Sequence, residues 1–193
     1  MDCRFVRMNC FFPPSLLALV LSALLNSAFA QSDYLPLETG EIHFISEAPQ
    51  ETIQAKSTEI EGLLDPASGF FAISLPIISF DGFNNALQQV HFNENYMESV
   101  IYPKSTFEGK IIEDISFEVP GSYEIRAKGT LSIHGAKTER IINCQLIVNA
   151  ESVQVKSTFF VPLIDHDISI PKVVKQKISP EIKVNVDLSF ETP

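Results

Sequence analysis

Residues 122–150 read SYEIRAKGTLSIHGAKTERIINCQLIVNA. In the first part Tyr123, Ile125, Ala127, Leu131 and Ile133 alternate with Ser122, Glu124, Arg126, Lys128, Thr130 and Ser132. Successive side chains of a strand point to opposite faces, so this period of two marks a strand with one buried face. His134-Gly135-Ala136 reads as a tight turn. Residues 140–150 then restart the alternation with Ile142, Cys144, Leu146 and Val148 on one face. A short turn between two such runs favours antiparallel neighbours.

Working outward, the same signal recurs. Residues 69–78 (GFFAISLPII) place Phe71, Ile73, Leu75 and Ile77 on one face, with Pro76 demanding an edge or a bulge. Residues 152–161 carry Val153, Val155, Phe159 and Val161, and residues 181–190 carry Ile182, Val184, Val186, Leu188 and Phe190. Segments 41–45, 52–60 and 106–112 complete a set of about eight strands. Eight antiparallel strands with one apolar face close as a sandwich or a barrel, and a barrel of that size has room for side chains or one small ligand. The expected fold is therefore all-β, with one or two short helices inserted near 81–99. There Phe83, Leu87 and Val90 fall at helical spacing and Asp81 is the candidate N-cap.

The first thirty residues read differently. Arg4 and Arg7 precede an apolar run at 11–25, broken only by Pro13, Pro14, Ser15 and Ser22, which ends in Ala28-Phe29-Ala30. This is the pattern of a cleavable signal peptide, cut after Ala30, and it is too short for a stable membrane anchor. Residue 31 is Gln, so no lipid-attachment cysteine stands at the cut. The expected mature domain, 31–193, has 12 basic and 23 acidic side chains, a net charge of −11. That field argues against nucleic acid and anionic headgroups as partners. Only Cys144 remains after cleavage, which rules out an internal disulfide and reads as a buried, inert thiol.

Candidate chemistry is thin. His91, Glu94 and Glu98 share a helix face, but this spacing commonly decorates a solvated surface. Asp165-His166-Asp167 lies between Pro162 and Pro171 and reads as a polar turn, with flanking carboxylates favouring a protonated histidine. There is no nucleophile elbow, phosphate loop or zinc-type cysteine pair. No cofactor or metal is expected, and no enzyme activity. Eleven Phe and no Trp in the mature chain suit an apolar guest and plain core packing equally.

Three stretches carry a family resemblance: HFNENYMES leading through IYPKSTFEG (91–109), GTLSIHG (129–135), and FFVPL with DHDI (159–168). They resemble the helix, the KYPxxTFxG strand entry, the GxLTxHG strand and turn, and the late strand and loop of the YceI-like family, and the likeness runs over about 39–190. The resemblance implies a lipocalin-like antiparallel barrel that holds a polyisoprenoid or other long-chain lipid. It also implies a periplasmic carrier. Phe71, Ile73, Leu75, Phe107, Tyr123, Ile125, Leu131, Phe159 and Val161 would line the lumen. Phe83, Leu87, Phe92 and Met97 would cap one end. A homodimer is compatible with the sequence. The alternatives are an envelope stress or interaction protein whose barrel is a scaffold with a filled core, and an enzyme using His91 or His166.

Overall fold

The computed structural model describes residues 34–191; the expected signal peptide at 1–30 lies outside them. The strands are β1 (Leu35–Glu47), β2 (Thr52–Ser57), β3 (Glu61–Leu64), β4 (Phe70–Pro76), β5 (Lys104–Ile111), β6 (Gly121–Ile133), β7 (Ala136–Val148), β8 (Ser152–Pro162) and β9 (Glu181–Glu191). From β3 to β9 each strand pairs with the next, and β9 returns to β1, which also meets β3. This closes an antiparallel barrel of eight staves, one of the two closures the alternation allowed and the one the resemblance implied.

The ninth strand, β3, lies just past the segment expected at 52–60. Residues 52–60 break after Ser57, whose hydroxyl accepts a hydrogen bond from the Glu59 backbone N–H at 3.1 Å. Such a local side-chain bond competes with the ladder. β2 pairs with the Ile42–Glu47 half of β1, whereas β3 pairs with its start, Leu35 and Pro36. The opening strand is also longer than the expected 41–45, beginning at Leu35 and carrying Pro36 and Gly40 within it. In the fold Pro36 ends the β3 pairing, and Gly40 follows a bulge between Leu37 and Thr39. A Cβ at Gly40 would lie 2.7 Å from Leu188 Cδ2, so a larger residue there would displace the Leu188 side chain.

The two ends of the barrel differ. At the end bearing the 65–69, 112–120 and 149–151 turns, Leu35, Leu64, Phe71, Ile111, Val148, Val153 and Phe190 pack together, with Phe117 and Tyr123 against them. This end is a filled floor. The opposite end carries the 48–51 and His134-Gly135 turns, the 77–103 segment and the 163–180 segment. His134 and Gly135 have φ of 51° and 77°, the two-residue hairpin turn whose twist matches its strands.

The inserted helical segment differs in detail from expectation. Helix α1 spans Ala86–His91 and runs into one π-turn, Phe92–Tyr96. Its N-cap is Asn85, whose Oδ1 accepts from the Gln88 N–H at 3.0 Å. Asp81 instead forms a β-bridge with Lys56. That bridge, with a 2.6 Å contact between the Ser57 and Ser79 hydroxyls, seals the split where β2 and β4 part.

Candidate ligand-binding cavity

Inside the barrel lies a cavity of about 550 Å³. Its wall follows from the alternation. Ile73 and Phe107 face each other across β4 and β5, and the inward residues of β6 to β9 continue the surface around. The cavity reaches down to Leu64, Phe71, Ile111 and Phe190 and up to the helical segment. Under the helical segment Phe44, Phe80, Phe83 and Phe92 form a connected aromatic cluster. Phe44 stacks on Phe92 at 5.3 Å between centroids, and Phe80 meets Phe44 edge-on at 5.2 Å. Such pairs contribute beyond their buried area. They tie the segment to the wall of β1.

Most residues expected from the sequence border this space. Phe71, Ile73, Leu75, Phe107, Ile125, Leu131, Phe159 and Val161 line the wall, and Phe83, Leu87, Phe92 and Met97 line the upper end. Tyr123 is the departure. It packs into the floor, and its hydroxyl donates to the Val119 carbonyl at 2.9 Å. A phenol needs such a partner, and the 112–120 turn supplies it below the lumen. Val90, grouped with Leu87 on one expected helix face, does not border the cavity.

Sequence reasoning missed Ile42, Phe44 and Phe80, which are central to the upper half. Ile42 and Phe44 alternate with Glu41 and His43 within the strand expected at 41–45, a run too short to single out the face that turns inward. Phe80 lies in an irregular turn and has no periodic signal.

The cavity opens where its lining residues are exposed. Its exposed lining residues are Asn85, Leu87, His91 and Lys177. All four belong to the helical segment or to the 171–178 loop. The β1–β2 turn stands between them: Gln50 N–H donates to the Gln176 carbonyl at 2.9 Å, and Gln88 Nε2 donates to Glu51 Oε1 at 2.5 Å. The mouth is thus a ring of three backbone segments joined by few hydrogen bonds, the construction expected of a part that opens.

A second split in the wall is stitched shut. β7 and β8 pair only from Cys144–Ser157 to Val148–Val153. Above that, Arg140 Nη2 donates to the Phe160 carbonyl at 2.6 Å, and Nη1 lies 3.7 Å from Asp165 Oδ2. Arg140 sits opposite Gly129 in the ladder.

Among the described residues no group of three or more His, Cys, Asp or Glu is placed to hold a metal ion. Glu98 turns toward His134 rather than His91, with 2.8 Å from Oε2 to Nε2. His166 departs from its reading as a polar-turn histidine whose flanking carboxylates favour protonation. It ends the Leu163–His166 turn with 0% exposure, and neither ring nitrogen has a partner within hydrogen-bond geometry. Desolvation pushes its pKa down, outweighing the nearby backbone of Ala136 and Ile133 and the Asp165 carboxylate. Cys144 borders the cavity, and burial pushes its thiol pKa up, as an inert buried thiol requires.

A closed eight-stranded antiparallel barrel around an apolar cavity defines the class of lipocalin-like folds. The sequence matches the YceI-like domain over residues 37–190, and the chain belongs to that family. Among solved structures, a polyisoprenoid binding domain from Saccharophagus degradans implicated in plant cell wall breakdown is similar, with TM-score 0.71 and 14% identity. The match covers 84% of this chain and 100% of that one. Burkholderia cenocepacia BcnA matches with TM-score 0.66 and 13% identity over 78% of this chain and 95% of its own. The Campylobacter jejuni YCEI protein matches with TM-score 0.55 and 16% identity over 70% and 82%. These likenesses establish the shared fold. No curated protein matches the sequence.

Proposed function

We propose that this chain is a soluble lipid carrier, exported to the periplasm after cleavage past Ala30, that holds a polyisoprenoid or similar long apolar chain in its barrel. The observation that carries this reading is the cavity of about 550 Å³ with an almost wholly apolar wall. Native interiors leave few voids larger than a water molecule. At about 24 cal/mol per Å³ of unfilled core, such a space costs on the order of 10 kcal/mol, comparable with the stability of a whole domain. The wall gives water few partners, so an apolar guest is the natural occupant. Each CH₂ moved from water into the lumen gains about 0.8 kcal/mol, so a long chain binds without directed polar contacts. The family and the polyisoprenoid binding domain of S. degradans support the same class of guest. The cavity favours a carrier over a scaffold with a filled core, and nothing in the site calls for catalysis.

The test is native mass spectrometry and lipid extraction of the protein purified from its own host. The carrier reading expects a stoichiometric long-chain lipid in wild type. Ala127 borders the cavity. Its substitution, Ala127→Phe, should exclude the lipid while leaving the fold intact. Wild type without lipid, or Ala127→Phe with lipid undiminished, would sink the reading.

A further inference from the structure

The loop at 171–178, PKVVKQKI, contradicts the charge of the molecule that carries it. The chain as a whole has 14 basic and 24 acidic residues. Yet Lys172, Lys175 and Lys177 fall within six positions, and no Asp or Glu occurs from 168 to 180. All three lysines are exposed, and none makes an ion pair among the described residues. Between them Val173 is 90% exposed. Across the mouth Leu87 is 61% exposed, although it lines the cavity. The loop edges the opening itself, since Val174, Lys177 and Ile178 border the cavity.

We propose that Lys172, Val173, Lys175 and Lys177, with Leu87 opposite, form a docking surface for an anionic phospholipid bilayer that sets the cavity mouth against the membrane. The negative net charge does not forbid this. Charges are screened over about 8 Å at physiological ionic strength. A strand of 13 residues such as β6 spans roughly 40 Å, so acids toward the floor are several screening lengths away. What a bilayer meets first is the rim. The end that carries the mouth also bears the acids Glu47, Glu51, Asp81, Glu94, Glu98, Asp165, Asp167 and Glu181, but the three lysines are gathered on the one loop that edges the opening, where the Glu51 carboxylate already accepts from Gln88, and Glu98 faces His134. Lysines attract an anionic leaflet, and an exposed valine and leucine give the contact an apolar component, the combination found in interfacial segments. Delivery of a water-insoluble chain needs the mouth to face the bilayer, and this surface would do so. The inference deepens the carrier reading, but it is measured without reference to what the lumen holds.

The experiment is flotation of the full mature protein with vesicles of phosphatidylethanolamine and phosphatidylglycerol, and with phosphatidylcholine vesicles as the neutral control. Binding to the anionic vesicles that weakens in 0.5 M salt, an added condition of about a 3–4 Å screening length, is expected. Lys172→Glu/Lys175→Glu/Lys177→Glu should lower the partition coefficient on the order of a hundredfold, about fivefold for each lysine lost from an anionic surface. The control, Lys110→Glu/Lys128→Glu/Lys137→Glu, alters three exposed strand lysines by the same charge and should retain more of the binding. Val173→Asp should weaken binding in both salt conditions. Equal loss in the loop and strand variants would overturn the proposal, as would wild type that ignores anionic vesicles and leaves the loop to a protein partner. Bound lipid measured by mass spectrometry in the same preparations is a separate readout, so a carrier without this surface, or the surface without a carrier, is recognised as such.

Discussion

Glu98 Oε2 lies 2.8 Å from His134 Nε2, while His134 Nδ1 lies 3.1 Å from the His166 carbonyl. A carbonyl only accepts and an ionised carboxylate only accepts, so making both bonds at once requires a proton on each ring nitrogen or on Glu98. The bonds join three segments at one point: the end of the helical insertion, the β6–β7 turn and the 163–168 turn. Glu98, His134 and Asp167 are also the residues other than glycine with positive φ among the described residues, at 42°, 51° and 56°. Non-glycine residues held there carry backbone strain, which persists only where surrounding contacts enforce it. Tyr102 adds an edge-on contact to His134 at 4.6 Å.

This knot predicts how the upper segment is held. Glu98→Ala removes the carboxylate but leaves the strained backbone, and should lower stability by about 1 kcal/mol. Amide hydrogen exchange over 92–102 should accelerate more than in the strands. Glu98→Gln can donate to a neutral His134 and should restore most of the protection. If exchange over 92–102 is the same in Glu98→Ala and wild type, the knot does not hold the segment.

His166 predicts a pH dependence. Its folded pKa lies below the ordinary value of 6.5, so the unfolded chain takes up the proton first as pH falls. Its contribution is therefore intact above about 6.5 and is lost as pH drops from there toward the depressed folded value. Glu113 behaves alike at lower pH, held down by its hydrogen bond to Arg126, so wild type must be compared with a variant lacking the imidazole. His166→Phe deletes two ring nitrogens that have no partner and should cost little at pH 7.5. Urea midpoints at pH 7.5 and 5.5 should fall less in His166→Phe than in wild type. Equal falls would show that the histidine is not the group responsible.

Gly109 and Gly129 pair directly across β5 and β6. A Cβ at Gly109 would sit 2.5 Å from the Gly129 Cα, and one at Gly129 would sit 2.9 Å from the Gly109 Cα. The offending atoms are backbone, which cannot turn aside as a side chain would. Gly109→Ala should therefore cost more than about 2 kcal/mol in urea unfolding, although alanine is otherwise the smallest replacement. A cost below 0.5 kcal/mol, the range of an ordinary surface change, would refute the close approach.

The barrel was legible wherever alternation ran unbroken, as in β6 to β9, because a stave with one wet face must alternate. It was obscured at the start of β1, which Pro36 and Gly40 interrupt, and at β3, a strand of only four residues whose more buried positions are Gly62 and Leu64. The wall residues followed from strand parity. Tyr123 has the same parity as Ile125, and only its height in the barrel, which no local pattern encodes, puts it in the floor. His166 shows the same limit: flanking carboxylates favour a protonated ring, but the turn at 163–168 buries the ring while Asp165 and Asp167 stay outside.

Cys144 offers a direct view of the lumen. Its side chain borders the cavity, and burial raises its pKa above the ordinary 9.0, so at pH 8 less than about a tenth of it is thiolate. A charged thiol reagent should leave the folded protein unmodified and react fully in urea. A small neutral reagent such as methyl methanethiosulfonate should reach the sulfur slowly through the mouth. Chain occupancy of the lumen would cover it, so delipidated protein should react at least about tenfold faster than protein carrying lipid. Charged reagent reacting readily with folded protein would mean that the wall around Cys144 is open, and equal neutral-reagent rates with and without lipid would mean that the guest does not pass the β7 stave.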